Sequence, residues 1–302
     1  MALDFSGRVA IVTGAGGGLG RQHALALAAR GARVVVNDLG GGVDGSGGSA
    51  SAAQKVVDEI RAAGGEAIAN GASVTDAAAV EAMVQQVMDA WGRVDVLVSN
   101  AGILRDKSFA KMDLADFRLV LDVHLMGAVH CCKALWPVMM AQKYGRIVLT
   151  TSSSGLYGNF GQANYGAAKM ALVGLMQTLA IEGMKHDIRV NCLAPTATTR
   201  MTEALFPPDM LEHFGPQAVV PAMLVLASQE APTRTTLCAG AGGFEAAHVT
   251  LTQGVHVGTG ADAPERLLAQ MDAVRDRHGE TVPGSGAEQG ANEMRLARAR
   301  QA

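Results

Sequence analysis

A chain of 302 residues, 49% hydrophobic and 18% charged, has enough apolar material for one sizeable α/β core, and its net charge of −3 gives no basic excess for a nucleic-acid partner. Four cysteines without C-x-x-C spacing offer neither a disulfide framework nor a metal set, so reduced thiols in a cytoplasmic protein are expected, with no metal. The start Met-Ala-Leu-Asp carries no basic-then-apolar leader, no apolar run approaches a membrane span, and the final Arg-Gln-Ala is not a peroxisomal address, so no membrane partner is expected.

The first apolar strand, Val9–Val12, runs into Thr13-Gly-Ala-Gly-Gly-Gly-Leu-Gly20 and then an Ala/Leu-rich helix over Gln22–Arg30. Strand, glycine turn and helix form a dinucleotide-binding arrangement, because glycines let the backbone approach a pyrophosphate and free amides at the helix start face it. Gly14, Gly18, Leu19 and Gly20 are the candidate contacts. An ATP-type phosphate loop is excluded, since Gly20 is followed by Arg21-Gln22 instead of Lys-Ser/Thr. The second strand, Arg33–Asn37, ends at Asp38, eighteen residues beyond Gly20, where a carboxylate accepts from adenosine ribose hydroxyls and repels a 2′-phosphate. NAD is the expected cofactor. The Gly/Ser-rich insert from Gly40 to Ser51 reads as a mobile surface loop.

Further strands are expected at Ala67–Ala69, Val94–Ser99, Arg146–Thr150 and Ile188–Leu193, with a last one in Ala246–Val257. Between them Val80, Met83, Val84, Val87, Met88 and Trp91 repeat at helical spacing as a core stripe. Long helices are expected over Asp116–Gln142 and Gln162–Gly183. Cys131 and Cys132, on the first of these, read as packing residues. The alternation predicts an α/β chain, a Rossmann-type doubly wound parallel sheet flanked by helices on both faces. Asp38, Asn100, Ser152 and Pro195 all fall at or just past carboxyl ends of strands, where such sheets bind ligands.

Ser152 is followed thirteen residues later by Tyr165 and four after that by Lys169. On a helix the i, i+4 pair shares one face. A phenol is a poor base at neutral pH, and a nearby cation favours the phenolate, so Lys169 is expected to bring Tyr165 into acid–base range. Ser152 would hydrogen-bond the reacting oxygen. Thr198–Gly215, with Pro207-Pro208 inside it, has the place and mixed polarity of a lid. The catalytic and dinucleotide-binding domain is expected over 1–260. Residues 261–302 are expected to hold a docked helix with Leu267, Leu268, Met271 and Val274 on one stripe, then a disordered tail with a basic end.

Thr13-Gly-x-x-x-Gly-x-Gly20, Asn100-Ala-Gly102, Ser152 and Tyr165-x-x-x-Lys169 resemble the short-chain dehydrogenase/reductases over roughly residues 5–260. Asn37-Asp-Leu-Gly-Gly41, Asn100-Ala-Gly-Ile-Leu-Arg-Asp106, Tyr157 through Tyr165 and Ala194-Pro195 through Thr202 narrow the resemblance. They are similar to the (3R)-hydroxyacyl-CoA dehydrogenase part of the peroxisomal D-bifunctional enzymes, also called 17β-hydroxysteroid dehydrogenases type IV, and to stand-alone bacterial sterol-degrading relatives. The resemblance implies Tyr165 as general acid/base, Ser152 as its substrate-oriented partner and Lys169 on the nicotinamide ribose. It also implies Ser73 and Val74 at the adenine, Asn100 as a backbone contact beside the cofactor, and Thr196 and Thr198 around the carboxamide. His124 stands where most members have Asn, which puts the usual water relay in doubt and leaves a structural and a catalytic histidine both open. Ser99 and Thr196 are smaller departures.

The implied function is NAD-dependent interconversion of (3R)-3-hydroxyacyl-CoA and 3-oxoacyl-CoA, steroid-bearing acyl chains included, in lipid or sterol side-chain degradation. A 17β-hydroxysteroid dehydrogenase and a 3-oxoacyl carrier-protein reductase are the enzymatic alternatives, and a non-catalytic dinucleotide sensor the third. By the same resemblance the two long helices are subunit faces of a homodimer or homotetramer.

Overall fold

The computed structural model describes residues 2–47, 51–198 and 213–299. Its first unit, Met1–Ala247, is built on an eight-stranded sheet in the order β3-β2-β1-β4-β5-β6-β7-β8. The strands are β1 (Val9–Thr13), β2 (Arg33–Asn37), β3 (Glu66–Asn70), β4 (Val96–Ser99), β5 (Gly145–Thr150), β6 (Ile188–Pro195), β7 (Thr236–Gly240) and β8 (Gly243–Ala247). Every neighbouring pair is parallel except β7 and β8. Strand order reverses between β1 and β4, which opens a crevice at their carboxyl ends.

The central strands are buried along almost their whole length and mostly apolar, as strands covered on both faces tend to be, with Arg146 and Thr13 among the buried polar exceptions. Side chains alternate between two cores. Ala10, Val12, Val34, Val36, Val96, Val98 and Val148 meet α1 (Gly18–Ala28), α2 (Ser51–Ala62) and α8 (Val220–Ala227). Val9, Ile11, Val35, Leu97, Ile147 and Leu149 meet α3 (Ala77–Trp91), α5 (Gly127–Gln142) and α7 (Ala163–Gly183). Cys131, Cys132 and Cys192 are buried in this second core, and all four cysteines are free. Burial pushes the Cys131 and Cys192 thiols up to about 12, consistent with packing.

Several expectations need correction. The helix expected over Asp116–Gln142 is α4 (Leu114–Leu121), a π-helical turn over Asp122–Met126, and α5. By length and composition the stretch Leu114–Gln142 could cross a membrane, but Ala128, Cys131, Cys132, Leu135 and Met139 line up against the sheet. The last strand, β8, begins ahead of the expected Ala246–Val257 window and reaches it only at Ala246 and Ala247, forming with β7 a hairpin whose turn residues Ala241 and Gly242 both have positive φ, 50° and 80°. That is the backbone of a type I′ turn, normally announced by Asn-Gly, and alanine in the first position hides it. The insert after Asp38 is tied down over its described part. Gly42 donates to the Ser46 carbonyl at 2.7 Å, Leu104 to that of Val43 at 3.0 Å, and the Arg105 Nε to that of Asp44 at 2.7 Å.

The second unit, His248–Ala302, has an isolated bridge between Leu251 and Thr281, two short helices, α9 (Ala263–Ala269) and α10 (Met271–Arg275), and α11 (Ala287–Ala299). Residues 248–260 thus group with the second unit. The expected disordered tail is helical over α11, which has Glu288 in its first turn, Arg298 in its last, and a Gln289–Glu293 bond at 2.9 Å one turn apart.

Candidate active site

The crevice between β1 and β4 is framed by Thr13 and Asn100. The Thr13 Oγ1 accepts from the backbone amides of Asn100 and Ala101 at 3.0 and 3.1 Å, while the Asn100 Nδ2 donates to the carbonyls of Thr13 and Gly14 at 3.0 and 3.1 Å. Asn100 therefore holds the glycine turn with its side chain. Gly14 has φ +64°, and a Cβ there would come 2.8 Å from the Ala101 Cα. A Cβ on Gly20 would lie 2.2 Å from the Gly14 carbonyl oxygen. No side chain caps the start of α1 at Gly17, so the amides of its first turn, Gly18 to Gly20, are open to an anion.

Asp38 closes the other side. Its carboxylate accepts from the Gly16 amide at 2.7 Å and the Gly40 amide at 2.6 Å, and each oxygen keeps room for another donor. A Cβ on Gly16 would sit 2.8 Å from that carboxylate, so only glycine fits there. Farther along, Ser73 bonds Thr75 through their hydroxyls at 2.8 Å, and the buried Val74 offers its carbonyl to the His130 Nδ1 at 2.8 Å. Thr196 is held by its amide on the Ala239 carbonyl at 2.8 Å, and Thr198 by its amide on that of Phe214 at 2.6 Å. The buried Thr198 Oγ1 has no partner among the described residues, as suits a hydroxyl awaiting a ligand group. A glycine cradle, a carboxylate with acceptor capacity to spare at the end of β2 and a hydroxyl without a partner among the described residues fit a dinucleotide. Residues 199–212, most of the expected lid, lie outside the described residues.

Ser152 sits where β5 gives way to the short helix α6 (Ser153–Tyr157), and its Oγ accepts from the Ser154 amide at 3.2 Å. Gly155 lets α6 approach α7, since a Cβ there would lie 2.8 Å from the Lys169 Cβ. That contact brings Ser152 to the phenol of Tyr165, to which it hydrogen-bonds. Lys169 is buried, donates from Nζ to the Thr150 carbonyl at 2.6 Å, and lies 5.4 Å from the centroid of the Tyr165 ring.

The electrostatics differ from the expectation of a phenol made acidic by its lysine. Burial pushes the Tyr165 phenol up, the Ser152 bond opposes this, and the charge of Asp106 adds to the rise. Burial also brings the Lys169 ammonium down to about 7. The lysine's bond runs to the Thr150 carbonyl, so its charge is spent on a backbone oxygen instead of the phenolic one.

His124, on the π-helical turn, is buried with its ring edge-on to Tyr165 at 5.2 Å and 89°. Burial, reinforced by the charge of Lys169, keeps it well below the usual histidine range against a bond to Ile103, so the ring is neutral. Nε2 is 2.8 Å from the Ile103 carbonyl and 3.1 Å from the Ile103 amide, so it donates to the one or accepts from the other according to the tautomer, while Nδ1 has no partner among the described residues. A Cβ on Gly102 would lie 2.3 Å from the ring, so glycine there makes space for the histidine.

Two residues that motif reasoning passed over complete the surroundings, Asp106 and Gln162. Each stands inside a segment quoted for the resemblance, but only the fold brings the two together, with Gln162 Nε2 2.6 Å from Asp106 Oδ2.

The sequence model of the short chain dehydrogenase family matches residues 8–209. The chain belongs to that family. Short chain dehydrogenases are oxidoreductases acting on CH–OH groups, and so is this chain. A peroxisomal hydratase-dehydrogenase-epimerase of Saccharomyces cerevisiae is 53% identical over 242 residues, 80% of this chain and 27% of that protein. The full-length peroxisomal multifunctional enzyme type 2 of Drosophila melanogaster superimposes with a TM-score of 0.81 at 37% identity, covering 98% of this chain and 50% of that one. A 7α-hydroxysteroid dehydrogenase solved with NADH and 7-oxo glycochenodeoxycholic acid gives a TM-score of 0.71 at 32% identity, over 80% of this chain and 95% of that one. The chain thus spans about half or less of the two multifunctional relatives.

A stability prediction follows from Lys169. Its folded value of about 7 lies below the ordinary lysine value of 10.5, so the folded state holds fewer protons between these limits. The burial penalty is fully present below about pH 7 and fades toward pH 10.5. Lys169→Met is expected to abolish turnover yet stabilise the ligand-free protein at pH 6 by about 1–2 kcal/mol, net of the lost Thr150 bond. Thermal melts across pH check this, with the gain shrinking on the alkaline side.

Proposed function

We propose that the chain is an NAD-dependent dehydrogenase interconverting (3R)-3-hydroxyacyl-CoA and 3-oxoacyl-CoA. The observation that carries the reading is the meeting of Ser152, Tyr165 and Lys169 at the carboxyl end of the sheet, beside a crevice closed by the Asp38 carboxylate.

The first-turn amides of α1, from Gly18 through Leu19 to Gly20, would hold the pyrophosphate, with Gly14 giving the backbone room to approach. Asp38 would accept the adenosine ribose hydroxyls, Ser73 and Val74 would flank the adenine, and Asn100, Thr196 and Thr198 would border the nicotinamide end. Lys169 would turn from the Thr150 carbonyl to the nicotinamide ribose. When bound, the nicotinamide supplies the hydride acceptor or donor. Tyr165 passes a proton to or from the substrate oxygen, and the Ser152 hydroxyl fixes that oxygen by a hydrogen bond. His124 stays neutral and keeps the Tyr165 ring upright through its edge contact.

The thioester reading is supported by the kinship with multifunctional peroxisomal enzymes that contain a dehydrogenase. Exposed Phe109 and Phe160 lie on two segments joined by the bond from the Lys107 amide to the Gly161 carbonyl at 2.9 Å, an apolar cover suited to an acyl chain. Met170, Ile181 and Met184 on and just after α7 are likewise exposed, and a second copy of the chain would cover them in a homodimer or homotetramer.

The test is a panel of (3R)- and (3S)-hydroxyacyl-CoAs, hydroxyacyl carrier proteins and free hydroxysteroids with NAD or NADP, read as reduced cofactor. NAD reduction with (3R) thioesters alone is expected. Turnover of free 17β-hydroxysteroids without thioester activity moves the assignment to a steroid dehydrogenase, and NADP-linked turnover of carrier-protein thioesters moves it to a reductase.

A further inference from the structure

The chain leaves β3 at Asn70 and enters α3 at Ala77 with no regular element between, so side chains have to place the residues expected at the adenine. Two ties come from the strands beside it. The Nδ2 of Asn37, the neighbour of Asp38, donates to the Ala72 carbonyl at 2.9 Å, and the Ala72 amide donates to the Asn70 Oδ1 at 2.9 Å. Val74 is held from the other direction, by α5. Its carbonyl accepts from the His130 Nδ1 at 2.8 Å, and a Cβ on Gly127 would lie 2.7 Å from the Val74 Cγ2.

Gly127 and His130 are three residues apart and so share one face of α5. A carbonyl only accepts, so the proton sits on Nδ1 and the imidazole is the donor. One helix thus grips Val74 at both its side chain, which is buried in the second core, and its carbonyl. Loosening this grip shifts the wall of the adenine site. Ser152, Tyr165 and Lys169 stand on other elements, at the start of α6 and on α7.

We propose that His130 is a positioning residue for the adenine end of the cofactor, fixing Val74 through its carbonyl so that this wall is set before the dinucleotide arrives. This rests on the reading of Ser73 and Val74 as the adenine's neighbours. A wall set in advance strengthens binding of the adenosine half and leaves the hydride step alone.

His130→Leu removes the donor. It is expected to raise the dissociation constant of ADP-ribose and the KM for NAD about fivefold each, the size that one neutral hydrogen bond supports, with kcat at saturating NAD held within about twofold. His130→Asn keeps a short side chain with an N–H donor and is expected to restore both constants. Gly127→Ala presses on Val74 from the same helix, is expected to weaken ADP-ribose likewise, and decides the matter if His130→Leu does not fold. An ADP-ribose affinity that stays at the wild-type value in the deciding variant overturns the proposal. So does a fall in kcat as large as the rise in the dissociation constant, which would make His130 a general prop of the fold. Val74→Trp separates the failures, since ADP-ribose binding needs no substrate. Affinity lost there but intact in His130→Leu sinks the role of His130 alone, whereas affinity intact in Val74→Trp removes the adenine from this segment and both readings fall.

Discussion

Tyr165→Phe is expected to lower kcat about 10³-fold, the order that a positioned proton carrier contributes, while leaving NAD affinity within a few-fold. The substitution removes one hydroxyl whose partner is Ser152 and leaves the ring against His124, Ile103 and Ala168. Stability should change by no more than about 1 kcal/mol, the net value of one hydrogen bond. Steady-state kinetics with fluorescence titration of the cofactor separate the two effects. A variant that retains a tenth of wild-type turnover would remove Tyr165 from the chemistry, and one that loses NAD binding would make its role structural.

Asp38→Asn is expected to shift the preference between NAD and NADP by about 10²-fold toward NADP. Two unit charges 4 Å apart at an effective dielectric near 20 interact by roughly 4 kcal/mol, and partial exposure of this side chain reduces that figure. Asparagine retains one acceptor oxygen, so one of the two amide bonds, from Gly16 or Gly40, is lost, because a backbone N–H cannot accept from the new NH2. Part of the change should therefore appear as weaker NAD binding. The ratio of kcat/KM for the two cofactors checks the first effect, and a binding titration the second. An unchanged ratio would mean that Asp38 serves only to hold the turn.

The sheet was legible because its signals are local. Val9–Val12 and Arg33–Asn37 are apolar runs ending in turn residues, and Asp38 falls at a fixed distance from Gly20, so the two strands, the glycine turn and the acid beside it follow from neighbours in sequence. What escaped depends on contacts between distant residues. Spacing puts Lys169 on the same face as Tyr165, but the Thr150 carbonyl that takes its ammonium lies on another element, so the rise in the phenol's value could not be read from the motif. The Asp106–Gln162 bond spans 56 positions. The hairpin of β7 and β8 was hidden by Ala241, an alanine in a left-handed conformation that local preference assigns to glycine or asparagine. The tail was misread because Gly286 and Gly290 flank or enter α11, and glycine argues against a helix that its Ala, Glu, Gln and Arg residues nonetheless form.

The π-helical turn over Asp122–Met126 gives the continuous stretch from Leu114 to Gln142 one residue more than an unbroken α-helix of the same span would hold. Each residue of an α-helix turns it by about 100°, so this surplus acts as a phase shifter between the half that packs beside the reacting groups and the half that covers the sheet. Composition along the stretch can drift while both halves stay in register, but its length cannot. Deleting a single position near His124 would rotate Cys131, Leu135 and Met139 off the sheet together. Insertions and deletions here should therefore be far more damaging than exchanges, a constraint on counting instead of chemistry.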